Sequence, residues 1–236
     1  MPGILPAYSA QGEGYPLVLL HGNGEDRTYF DGQIGAFAAC RRVIAVDTRG
    51  HGQTPRGTAP FTLAQFAEDV CALLDALSIP QADILGYSDG GNITLLFALR
   101  HPARVRRMVL NGANLNPLGL CLPTLLAVEC TYAALRVASL CTNQARAPLE
   151  RYALMAVQPH IHPAALAALP HPTLVLAGTR DVIRRRHTRL IARMLPAGRL
   201  LLLPGGHTIA REHPAAYNAA VLEFLREGDS EPTFAQ

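Results

Sequence analysis

A mostly parallel β-sheet covered by helices on both faces, an α/β fold, is what this sequence predicts, and three observations predict it. Short apolar runs recur along the chain, stretches of helical spacing separate them, and a glycine-flanked serine follows one run directly. The runs are residues 17–20, 43–46, 82–85, 108–110 after Val105, 174–177 and 200–203. Runs this short, nearly continuous and without polar alternation, suit strands covered on both faces, as parallel strands are. Between them Phe66, Val70, Leu73, Leu74 and Leu77 recur at three and four residues, and so do Leu95, Leu96 and Leu99. Strand alternating with helix implies right-handed βαβ units in one sheet.

With 236 residues, 49% of them hydrophobic and 17% charged, the chain reads as one globular domain, 1–236. At this size folding buries about 70% of the surface the unfolded chain exposes. All 21 basic residues are Arg, which excludes a Schiff-base lysine and a P-loop lysine. A net charge of +3, spread along the chain except at 184–193, predicts no nucleic-acid partner. Cys40, Cys71, Cys121, Cys130 and Cys141 form no CxxC pair and are odd in number, as reduced thiols of a cytoplasmic protein would be. The first ten residues lack a basic leader, and no uninterrupted apolar run approaches about 18 residues, so no membrane partner is expected.

One segment breaks the alternation. Residues 114–170 are rich in Leu and Ala, are punctuated by Pro123, Pro148, Pro159 and Pro163, and contain no strand-like run. They predict a short helical lid inserted within the domain, over the C-terminal edge of the sheet, where open α/β sheets place ligands. Leu118, Leu122, Leu125, Leu126 and Leu135 are its candidates for lining a pocket or packing on the sheet. The polar tail, 228–236, is expected to fray.

The strongest local signal is Gly86-Tyr87-Ser88-Asp89-Gly90-Gly91, a G-x-S-x-G between the 82–85 strand and a helix. A serine at so sharp a strand-to-helix turn sits in a strained backbone, so residues two before and two after it must lack bulk. Gly86 and Gly90 meet that demand. The helix N-terminus there favours a developing anion.

A serine hydroxyl needs a base, and the base needs a carboxylate to hold its tautomer. His207 follows the last strand and the flexible Gly205-Gly206 pair, so its ring can reach toward Ser88. His187 and His213 read as surface or capping residues. Between Ser88 and His207 the carboxylates are Asp89, Glu129, Glu150 and Asp181. Asp89 sits on the turn itself, Glu129 and Glu150 fall in the insertion, and Asp181 follows the 174–177 strand at the sheet's C-terminal edge. Asp181 is therefore the candidate. An oxyanion hole needs two preorganised N–H donors. The backbone N–H groups of Asp89 and of Asn23, in the His21-Gly22-Asn23-Gly24 loop after the 17–20 strand, are the candidates, with both side chains incidental. His21 reads as a structural hydrogen-bonder.

Together these residues resemble the α/β-hydrolase superfamily over residues 15–225. The run Asp47-Thr48-Arg49-Gly50-His51-Gly52 looks like a structural turn of lid-bearing members, so His51 takes no catalytic role. The resemblance implies acyl-enzyme hydrolysis of esters or related carbonyl compounds without a cofactor. Two departures stand out. Only about fifteen residues precede the first buried strand, so the family's antiparallel edge strands are expected to be abbreviated or missing, and the lid looks short.

His160, His162 and His171 have no Asp or Glu nearby to complete a metal site. Arg184, Arg185, Arg186 and Arg189, at helical spacing beside apolar residues, read as the wet face of a helix. Gly12-x-Gly14 lacks the third glycine of a dinucleotide site. The reading is a serine hydrolase of a small-to-medium carboxylic ester, a small-molecule substrate, with no cofactor and no metal. The alternatives are thioester, amide or carbon–carbon hydrolysis on the same triad, or a non-catalytic small-ligand binder. Oligomeric state is left open.

Overall fold

The sheet begins with a strand that the apolar pattern does not mark. The computed structural model describes residues 4–227, so the 228–236 tail lies outside the described residues. In chain order the elements are β1 (Tyr8–Gln11), β2 (Pro16–Leu20), α1 (Asp31–Ala38), β3 (Arg42–Val46), α2 (Leu63–Ala76), β4 (Ala82–Tyr87), α3 (Asp89–Arg100) and β5 (Val105–Asn111). Then come α4 (Leu122–Cys141), α5 (Arg146–Ala156), β6 (Thr173–Gly178), α6 (Arg185–Met194), β7 (Gly198–Leu203), α7 (Ile209–Glu212) and α8 (Pro214–Arg226). The strand order is β1-β3-β2-β4-β5-β6-β7, parallel except where β1 runs antiparallel to β3. All four residues of β1 are exposed, and it joins the edge through its backbone. One antiparallel edge strand is thus present, four residues long.

Each buried strand is apolar on both faces because each face meets helices. Leu17 and Leu19 of β2 pack in the layer that holds Phe37 of α1 and Tyr217 of α8. Val18 and Leu20 pack on the other side with Phe66 and Leu73 of α2. Burying one such leucine contributes roughly 1.5–3 kcal/mol. The chain reverses direction across the sheet at β2, which pairs with β3 on one side and β4 on the other. Such a switch point opens a crevice at the carboxyl ends of the strands. Here it sets the loop after β2 beside the turn after β4, since Leu20 stands opposite Gly86.

The 114–170 segment is helical, with no strand among the described residues. Leu120, Val128 and Ala156 pack with Ile183 at the sheet's edge. Leu118, Leu122 and Leu126, offered above as pocket or packing residues, are instead largely exposed. Leu118 lies in the turn before α4, and α4 itself carries apolar residues all round its circumference, so spacing does not reveal which face turns inward. Helix α4 is long and apolar enough on average to cross a membrane, with a mean hydropathy of 1.4. Glu129 and Arg136 interrupt it, and Val128 is buried against the rest of the fold.

Candidate active site

Ser88 sits between β4 and α3 at φ 53° and ψ −118°, a conformation that L-residues rarely adopt. Two glycines make it attainable. A Cβ on Gly86 would lie 2.1 Å from the Gly90 carbonyl oxygen, and one on Gly90 would lie 2.0 Å from that of Leu20. The Ser88 N–H donates to Asn111 O at 2.8 Å, and its carbonyl accepts from Gly91 N–H at 2.9 Å. Strand β5 and helix α3 therefore hold the strained residue from both sides.

His207 reaches this serine from the loop after β7. Its Nε2 lies 3.0 Å from Ser88 Oγ, and its Nδ1 lies 2.7 Å from Asp181 Oδ1. With Nδ1–H donating a hydrogen bond to the carboxylate, Nε2 is left as the acceptor facing the hydroxyl. Asp181 is fixed in turn by the Ile183 N–H, which donates to Oδ1 at 2.8 Å. Gly112, at φ 64°, clears space for the imidazole: a Cβ there would come within 2.7 Å of His207 Cε1. The structure thus brings Ser88, Asp181 and His207 into one hydrogen-bonded chain. Glu129 and Glu150 stay outside it. Glu150 pairs with Arg56 at 2.5 Å and ties α5 to the loop after β3. His187 accepts from the Leu115 N–H at 2.9 Å.

The loop after β2 is held by two histidines. His21 Nδ1–H donates to Gly22 O at 2.7 Å while Nε2 accepts from the Thr48 N–H at 3.0 Å. Burial lowers the His21 pKa to about 4, so the ring is neutral at ordinary pH, as its accepting Nε2 requires. His51 Nε2 accepts from the Gly24 N–H at 3.2 Å. This places Asn23 across from Asp89, whose own N–H is among the unpaired donors at the start of α3.

Two carboxyl groups stand at this site to which the sequence assigned no role. Asp89 is buried, and its side chain accepts from Asn23 Nδ2 at 2.9 Å and Asn92 Nδ2 at 3.3 Å. Burial pushes its pKa up to about 6, against the pull of those two donors. Asn92 also donates to Asn114 Oδ1 at 3.0 Å, linking the turn to the start of the insertion. Glu25, two residues beyond Asn23, is raised above the usual carboxylate range, again by burial. Its Oε2 is buried without a hydrogen-bond partner. The signal available in the sequence was the spacing of Asp89 and Asn92, one helical turn apart at the start of α3.

These groups surround a cavity of about 240 Å³, with Ser88 and His207 in its wall. Leu120, Val128, Met155 and Ile183 supply its apolar side, so the helical 114–170 segment and the loop after β6 form one wall of it. For scale, a cavity of roughly 150 Å³ holds one benzene. The space suits a small molecule.

Residues 15–129 match the family model described as alpha/beta hydrolase fold. The chain is 32% identical over 262 residues to a 2-hydroxymuconate semialdehyde hydrolase of Pseudomonas sp. strain CF600, covering 97% of this chain and 93% of that one. It is 30% identical to a putative carbamate hydrolase, RutD, of Caulobacter sp. strain K31, covering 89% and 90%. Among solved structures, the enol-lactonase from Burkholderia xenovorans LB400 superposes with a TM-score of 0.77 at 26% identity, covering 93% of this chain and 96% of that one.

Proposed function

The chain belongs to the alpha/beta hydrolase superfamily and is an enzyme of that hydrolase type, and from this premise we propose that it is a serine hydrolase of small-to-medium carboxylic esters. The observation that carries the reading is the continuous contact from Asp181 through His207 to the hydroxyl of a strained Ser88. In this reading Ser88 Oγ attacks the ester carbonyl carbon as His207 Nε2 takes its proton. The oxyanion lies between the backbone N–H groups of Asn23 and Asp89, and losing one such donor costs about 10²–10³ in turnover. The tetrahedral intermediate collapses, His207 returns the proton to the leaving alcohol, and an acyl group remains on Ser88. Water then adds to the acyl carbonyl as His207 takes its proton, and the second tetrahedral intermediate collapses by breaking the bond to Ser88 Oγ, which receives that proton as the acid departs.

Asp181 keeps the imidazole in the required tautomer and offsets its charge when protonated. The 114–170 segment acts as the lid, with Met155 and Val128 excluding water from the acyl group. An enol-lactone is an internal ester, so the likeness to an enol-lactonase supports ester cleavage. A second reading, hydrolysis of a non-ester carbonyl compound on the same residues, is supported by the 2-hydroxymuconate semialdehyde hydrolase relative. The test is a panel of p-nitrophenyl esters of increasing acyl length, given to wild type and to Ser88→Ala. The ester reading expects turnover that falls by at least about 10³-fold in the variant, with short acyl chains preferred. No turnover above the variant on any ester removes it. Wild type that also fails to hydrolyse any carbonyl substrate would point to a binding protein.

A further inference from the structure

The cavity that holds Ser88 is framed by two carboxyl groups, and among the described residues the one cation paired with either is the half-exposed Arg211 beside Glu25. Asp89 enters from the start of α3 and is held by two neutral amides, Asn23 at 2.9 Å and Asn92 at 3.3 Å. Glu25 enters from the loop after β2. Its Oε1 lies 3.8 Å from Arg211, a half-exposed side chain stacked over Tyr29, while its Oε2 is buried with no hydrogen-bond partner. Among the described residues no arginine lines the cavity, and the chain contains no lysine. The remaining wall is apolar apart from the amides, Tyr87, Thr124, Ser88 and His207.

We infer that Asp89 and Glu25 are specificity-determining residues that restrict this site to ester substrates without a negative charge, rejecting those whose acyl or alcohol part carries a carboxylate. The inference rests on the ester-hydrolase reading, because it names the substrates of that site. A carboxylate entering a cavity of about 240 Å³ gives up its water and shares the space with Asp89 and Glu25, both of which line it. No guanidinium there restores what hydration supplied. At an effective dielectric constant near 20, one like-charge pair at about 6 Å disfavours binding by on the order of 10²-fold. An uncharged amide of the same shape meets no such repulsion, and its N–H groups match the unpartnered oxygen of Glu25.

The test compares methyl succinamate with monomethyl succinate, which have the same shape and differ in charge, at pH 8, above the value to which burial pushes Asp89. Two readouts are taken: kcat/KM in wild type, and affinity for Ser88→Ala by ligand-observed NMR titration, which needs no turnover. The expected result is a preference of about 10²-fold for the amide in both. That preference falls roughly tenfold in Asp89→Asn and, independently, in Glu25→Gln, each of which removes a charge and keeps the shape. A preference for the amide in binding without turnover of either compound retains the inference and counts against the ester reading. A preference below about threefold in binding, or no binding of either compound, overturns it whatever the turnover.

Discussion

The side-chain amide of Asn23 donates both to Asp89 Oδ2, at 2.9 Å, and to the carbonyl of Arg151 in α5, at 2.8 Å. One amide therefore ties the loop after β2 to the turn that carries Ser88 and to the helical insertion above. Asn23→Ala releases all three. Its backbone N–H survives but loses its fixed direction, so kcat is expected to fall by about 10–100-fold, less than when an oxyanion donor is removed outright. Steady-state kinetics on an ester that wild type cleaves check this. A change confined to KM contradicts it.

Asp89 makes stability depend on pH in a definite sense. Its pKa rises from 3.8 to about 6 on folding, because burial disfavours the charged form. The folded protein thus holds that proton more tightly than the unfolded chain. The associated stability is fully present below about pH 4 and is lost as pH rises through about 6. Asp89→Asn removes this dependence, so the variant gains on wild type by on the order of 2–3 kcal/mol between pH 4 and pH 8. Urea unfolding of both proteins at the two pH values measures the gain. A difference that does not change with pH counts against it.

Much of this architecture was legible in the sequence because burial on both faces leaves a plain record. The runs at 17–20, 43–46 and 174–177 each fall within the parallel strands β2, β3 and β6. Strand β1 left no such record, since Tyr8, Ser9, Ala10 and Gln11 are exposed and pair only through their backbone. The convergence of Ser88, Asp181 and His207 followed from their positions at the ends of strands in one sheet. The walls of the cavity did not. Leu120 lines it although it precedes α4, whereas Leu122 and Leu126 on the helix face outward. The carboxyl of Asp89 was legible only as a neighbour of the nucleophile, because one of its two partners, Asn23, comes from a loop 66 residues away, while Asn92 lies on the same helix.

The glycines around Ser88 differ in what they tolerate. Gly90→Ala drives a methyl into the Leu20 carbonyl, which belongs to a buried strand and has no room to retreat. The expected cost exceeds about 3 kcal/mol, or the protein fails to fold. Gly24 has open space around it and a φ of 73°, so Gly24→Ala incurs only the strain of that conformation, about 1 kcal/mol. Chemical denaturation of the pair reads the contrast. Equal losses contradict it.

The central claim is that the hydroxyl of Ser88 is activated as a nucleophile by His207, and its most direct measurement is covalent capture by a fluorophosphonate probe. Intact mass and peptide mapping are expected to show one adduct per chain, on Ser88, in wild type. Labelling is absent in Ser88→Ala and slowed by at least about 10³-fold in His207→Ala. Wild type left unlabelled, or labelled equally well when His207 is replaced, contradicts the claim.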